Sequence, residues 1–135
     1  MNNFDDVIKY LEKDYELDIS LDEKKTISIV IDEKITVQLE TDESNTKLLI
    51  FSNIYTLDAG KYRENILFQS LKENDKYPYK LILGYLDQES ALCAHNFIYL
   101  ENLTEDTFIV FFSSFIDRAI LIKNTLEKGL DLQNI

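Results

Sequence analysis

His95 is the only histidine in the chain and Cys93 the only cysteine, and they stand two residues apart. On a strand that spacing turns both side chains to one side, so a thiol–imidazole pair or the beginning of a metal site is the chemistry to consider. A zinc centre needs three or four ligands at characteristic spacing. Neither Cys-x-x-Cys nor His-Glu-x-x-His occurs. The two residues therefore read as a structural strand cysteine beside a polar histidine. Carboxylates are abundant, but the neighbouring pairs Asp5–Asp6, Asp22–Glu23 and Glu105–Asp106 fall in turns or helix starts, where they solvate and cap. Three glycines, none in a glycine-rich loop, leave no cradle for phosphate. No catalytic residue, metal ligand or cofactor is assigned, and the chain does not read as an enzyme.

Composition narrows the partners. With 25 acidic and 14 basic residues the net charge is −11, and no cluster of lysine and arginine offers a phosphate backbone or an anionic membrane a footprint. Nucleic-acid binding and membrane insertion are excluded on that ground. The N-terminus carries acids where a secretory signal is basic. No run approaches the roughly 18 apolar residues of a membrane span, because Ser113, Ser114, Asp117 and Arg118 break up residues 108–122. One cysteine fits a reducing compartment. These features point to a soluble cytoplasmic protein of a single domain, residues 1–135, with 45% apolar residues to build its core.

The elements that must position these residues follow from periodicity. Phe4, Val7, Ile8 and Leu11 repeat at helical spacing behind Asp5 and Asp6. Residues 16–25 read as loop with one short extended piece. Ile27, Ile29 and Ile31 alternate with polar or smaller neighbours, as do Ile35, Val37 and Leu39, and Asp32, Glu33 and Lys34 leave room only for a tight hairpin between them. Residues 47–55 are apolar on both sides, with Leu49, Phe51 and Tyr55 opposite Leu48, Ile50 and Ile54, so this strand is expected to be central or covered on both faces. A second hairpin spans residues 80–85 and 91–100, with Gly84 suggesting a bulge or a close backbone approach. Thr104 caps a long final helix whose stripe runs from Phe108 through Phe112, Phe115 and Ala119 to Ile122 and Leu126. The fold class is α+β in the order helix, three strands, helix, two strands, helix, with an antiparallel or mixed twisted sheet packed by helices.

The central helix, residues 60–75, carries an anomaly. Tyr62, Ile66, Leu67 and Ser70 share one face, with Leu71 at its margin and Asp58 as the expected cap. Phe68 falls on the opposite side among Lys61, Glu64 and Lys72. It is either an isolated surface aromatic or the mark of a second buried side.

Element order, size, acidity and the segment ILFQSL at 66–71 together resemble the class I chaperones of bacterial type III secretion, as do the hairpin LGYLDQESALCAHNFIYL at 83–100 and the long helix after it. The resemblance covers nearly the whole chain. Ser70 stands where that family often has asparagine, Glu89 and Ser90 occupy a turn that commonly holds glycine, and phenylalanine replaces a frequent tryptophan in the last helix. The resemblance implies a cytoplasmic bacterial homodimer that binds the N-terminal segment of a secreted effector in extended form, without ATP. It places the dimer interface at Phe68, Leu71, Leu83 and Tyr85, and effector grooves at Leu11, Val30, Val37, Leu39 and Phe51. Periodicity does not say which sheet face the helices cover, so each of these residues also reads as ordinary core. A cytosolic adaptor or regulator on the same fold, with no secreted client, is the other binding reading.

Overall fold

The computed structural model describes residues 3–15, 19–21, 26–76 and 78–135. The carboxylate pair Asp22–Glu23 lies outside them. Helix α1 (Phe4–Tyr15) begins where the Asn3 side chain accepts the Asp6 amide at 2.9 Å. Strands β1 (Ile19–Leu21), β2 (Ile27–Ile31), β3 (Ile35–Thr41) and β4 (Lys47–Thr56) follow, then α2 (Lys61–Glu73), β5 (Ile82–Leu86), β6 (Ala91–Tyr99) and α3 (Glu105–Glu127). The expected α+β order is present. The sheet has six strands, in the order β1-β2-β3-β4-β6-β5, and every pairing is antiparallel. The additional strand is the short extended piece of the 16–25 stretch. Its three residues pair with Ile27, Ser28 and Ile29, and three residues are too few for a period to register.

The register sorts the sheet into two faces, since residues directly opposite in an antiparallel ladder point the same way. Ile27–Leu39, Ile29–Val37, Leu39–Ile50 and Leu83–Ala94 are opposed pairs on one face, and all of these side chains are buried. Helices α1 and α3 supply the layer above them. Val7 and Leu11 of α1 are fully buried, as are Phe108, Phe115, Ala119, Ile122 and Leu126 of α3. Tyr10 meets Phe108 edge-on at 5.7 Å, and Phe108 stacks on Phe112 at 5.5 Å, so aromatic packing locks α1 to the start of α3. Strand β4 is central, as its two-sided apolarity demands. Its ladder to β6 shifts register between Asn53 and Tyr55, which puts the bulge here and not at Gly84. A Cβ at Gly84 would meet the Cys93 sulfur at 3.6 Å, ordinary contact distance.

The turns show how side chains substitute for glycine. Asp32 and Glu33 have φ of 51° and 57°, the left-handed pair that a two-residue β-turn with matching twist requires, without the usual Asn-Gly. Lys34 steadies this turn by donating from its ammonium to Asn124, while its carbonyl accepts from Lys123 on α3. Ser90, in the turn between β5 and β6, likewise sits at φ 50°. Helix α2 starts at Gly60, with φ 138° and no side-chain cap, so Asp58 does not serve as its cap. Thr104 does cap α3, its hydroxyl accepting the Thr107 amide at 3.1 Å. Among the described residues no helix is long and apolar enough to cross a membrane.

The β3–β4 turn is built on Asp42. Its carboxylate accepts the amides of Lys47 and Thr46 at 3.1 and 2.9 Å and the hydroxyls of Ser44 and Thr46. These donors, the Lys47 amide foremost, pull its pKa from 3.8 down to about 2. Because the folded value lies below the unfolded one, the stabilisation is present above about pH 4 and is lost as pH falls toward 2. Asp42→Asn removes this titration, so the acid limb of a plot of thermal midpoint against pH is expected to be shallower in the variant than in the parent between about pH 4 and 2.

Candidate functional site

Strand alternation builds the first candidate surface. The sheet face away from the helices carries Val30 on β2, Leu49 and Phe51 on β4, Phe97 and Tyr99 on β6, and Ile82 on β5. Leu49 opposes Phe97, Phe51 opposes His95, and His95 opposes Ile82, so these side chains form one band across the strands. Val30, Phe97 and Tyr99 are exposed by 53, 45 and 59%. The Phe97 and Tyr99 rings meet edge to face at 5.6 Å, and the Lys47 ammonium stands over both. Polar Thr36 and Gln38 on β3 lie between Val30 and the band on β4, β6 and β5.

Cys93 and His95 share this open face, as their spacing predicts, yet they do not make a reactive pair. Cys93 is buried, and its desolvation pushes the thiol pKa up, which disfavours the thiolate that chemistry would need. His95 is exposed among apolar neighbours. No group of His, Cys, Asp and Glu able to hold a metal ion occurs among the described residues.

Helix α2 forms the second surface. It turns Ile66, Gln69, Ser70 and Glu73 inward and leaves Phe68 and Leu71 exposed by 58 and 69%, with Tyr62 also exposed. Lys72, one turn on, lays its ammonium over the Phe68 ring at 4.7 Å. Two buried polar residues explain why the inward face departs from the apolar stripe. Gln69 donates to the Asp131 carboxylate and accepts the Leu132 amide, pinning the C-terminal turn Leu132–Asn134 beneath α2. Glu73 accepts from Arg118 of α3 at 2.8 Å and from Lys76 at 2.6 Å. A buried carboxylate is retained only where such charge-assisted bonds replace its water.

Several residues that the family resemblance assigns to surfaces are internal. Val37 and Leu39 are fully buried because they fall on the helix-covered side of the β3 alternation, and Leu11 is fully buried on the inward side of α1, so none of the three offers anything to a bound segment in this arrangement. Val30 and Phe51 fall on the open side. Leu83 is 5% exposed and faces the core. Tyr85 is held against α2 by Arg63, which donates to its hydroxyl at 2.9 Å and stacks on its ring. Sequence reasoning missed Asn74, whose amide donates to the Leu83 carbonyl at 2.9 Å and accepts the Leu83 amide at 2.8 Å. It thereby takes the place of a neighbouring strand on the outer margin of β5. The only signal was an asparagine at a helix end, which a simple terminator explains equally well.

These observations define a class: an α+β domain with one sheet face sealed by helices, the other face and one helix flank left apolar and outward, and no assembled catalytic group among the described residues. The chain belongs to the Tir chaperone protein (CesT) family, whose model matches residues 6–123. The resemblance read from the sequence is thereby borne out. Solved structures share the fold. The ExsC–ExsE complex contains a chain 21% identical, with a TM-score of 0.66 over 92% of this chain and 96% of that one. A chain of the HopA1–SchA chaperone–effector complex is 15% identical, with a TM-score of 0.66 over 86% and 88%. The Yersinia pestis type III secretion chaperone SycH, in complex with a stable fragment of YscM2, gives 15% and 0.62 over 84% and 93%. None of the curated proteins matches the sequence.

The Asn74 clamp joins α2 to β5 through two otherwise unsatisfied backbone groups. Asn74→Ala is expected to cost about 2 kcal/mol in denaturant unfolding, the price of leaving a part-buried donor and acceptor unpaired. Amide exchange at Leu83 should accelerate in the variant.

Proposed function

We propose that this protein is a type III secretion chaperone that holds the N-terminal segment of a secreted effector extended and competent for export, acting in the bacterial cytoplasm as one effector-binding domain over residues 1–135. Family membership supports the chaperone role. The observation that carries the segment-binding part is the open sheet face, where Leu49, Phe51, Phe97 and Tyr99 form an apolar band, with Val30 exposed two strands away, on a protein of net charge −11. Apolar patches of this kind on otherwise polar domains mark interaction sites. Negative charge keeps such a surface from self-association in the absence of a client.

The chemistry required is modest. An extended segment satisfies its backbone against a sheet margin and buries alternate side chains against apolar surface, so binding free energy alone keeps it unfolded and no nucleotide enters. The protein is not an enzyme in this reading: His95 serves as part of a surface, and Cys93 is buried beside it on the same strand face. Of the residues that the resemblance assigned to grooves, Val30 and Phe51 remain as client contacts, while Leu11, Val37 and Leu39 support the sheet from its other side. The protein acts as a homodimer. Phe68 and Leu71 supply its contact, with Leu83 and Tyr85 holding α2 in place from behind.

Two measurements test these assignments. Co-expressed with a secreted-type protein encoded next to it, the parent should render that protein's N-terminal segment protease-resistant. Phe97→Asp should weaken the complex at least tenfold, about 1.4 kcal/mol, with an unchanged melting temperature. For the dimer, Phe68→Glu should run as a monomer by light scattering at micromolar concentration; a variant that stays dimeric removes α2 from the interface.

A further inference from the structure

A small cleft opens where the end of α2, the chain entering β5 and the middle of α3 meet, with a volume of about 180 Å³. Its floor is apolar: Leu81, Leu83 and Ile122 are at most 8% exposed. Its walls carry three cations, Lys76, Lys80 and Arg118, against a single carboxylate, Glu73. Over the rest of the sequence 24 acidic residues stand against 11 basic ones, 25 − 1 and 14 − 3, so this cleft inverts the protein's overall sign.

The charges are not fully consumed by one another. Each Glu73 oxygen takes one donor, Oε1 from Lys76 and Oε2 from Arg118. An ammonium offers three donors and a guanidinium five, so both cations keep donors to spare. Lys80 is exposed and makes no ion pair with a described residue. The walls are also fixed in advance. Glu73 bridges α2 to α3, and Asn74 fastens both backbone groups of Leu83, so a ligand would meet a preformed shape and spend little on ordering it.

We propose that this cleft is an acid-anchor site, which receives the carboxylate of a glutamate or aspartate side chain carried on the bound polypeptide segment. Size selects the ligand. At about 30 Å³ per water the space equals roughly six waters. That suits one carboxylate on a short aliphatic stem and falls below the range of about 300–1,000 Å³ typical of drug-sized ligands and cofactors. Charge selects it again: an anion here faces three cations against the one Glu73 carboxylate, over a floor of low polarity where screening by water is weak, on a protein whose net charge is otherwise negative. The apolar floor takes the methylene stem and the walls take the head.

This inference deepens the segment-binding reading and rests on it for the carrier of the carboxylate, so the test separates the two. The probe for the cleft alone is N-acetyl-glutamate amide, titrated into isotope-labelled protein at low salt and followed by NMR. Shifts are expected at Lys76, Lys80, Leu81, Arg118 and Ile122. They should be absent with N-acetyl-glutamine amide and lost in Lys80→Glu, a change at an exposed position outside the Glu73 ion pairs. Equal response to the neutral amide, or shifts spread over the whole surface, overturns the site. A client that binds with the same affinity to Lys80→Glu as to the parent also overturns it and leaves the chaperone reading intact. An expected tenfold or greater loss, deepening as salt is lowered in the parent, supports it. Arg118→Lys, which keeps the charge, should retain binding of the acidic probe.

Discussion

The pairing of β4 with β6 holds the molecule together. Every other ladder joins strands that are close in the chain, but this one runs for nine residue pairs between segments separated by α2 and the whole of β5. It merges the N-terminal strands and the C-terminal hairpin into one sheet, and α3 lies across it. Until it forms, α3 has no continuous surface to bury Phe108, Phe115 and Ile122 against. Because loop closure must be met before such distant contacts gain anything, this ladder is the costly step of folding.

One-sided coverage follows from that arrangement. Six twisted strands present two faces, and α1 and α3 between them cover one. The strands answer with alternation: isoleucine, valine and leucine inward on β2 and β3, threonine and glutamine outward. Alternation weakens on β4 and β6, where Leu49, Phe51, Phe97 and Tyr99 occupy outward positions, and these are interior strands joined by the nine-pair ladder. The apolar outward band therefore sits where the sheet is most rigidly held, suited to gripping a flexible segment without deforming.

Much of this was legible in residue order. The three helices and five of the six strands follow from spacing alone, and Thr104 and the phenylalanine stripe fix α3 to within a residue. Phe68 marked an outward apolar flank on α2. What spacing could not show is which side of the sheet the helices take, since Leu39 and Phe51 are equally apolar and only the packing of α1 and α3 separates them. Leu11, Val37 and Leu39 fell to the core for that reason. Polar residues turned inward were equally hidden. Gln69, Glu73 and Asn74 look like solvated helix residues until the partners that satisfy them, Leu132, Arg118 and Leu83, are brought near from 9 to 63 positions away.

The Asn74 amide on Leu83 has a consequence for assembly. A sheet can polymerise only if both of its margins accept new strands, because each added molecule must offer a free margin to the next. In this molecule β5 is one margin, and a side-chain amide already fills the backbone slot at its centre, with Arg63 over Tyr85 beside it. A strand added along β5 must first displace that amide from Leu83. On that margin the molecule resists the strand-on-strand growth that seeds a fibre.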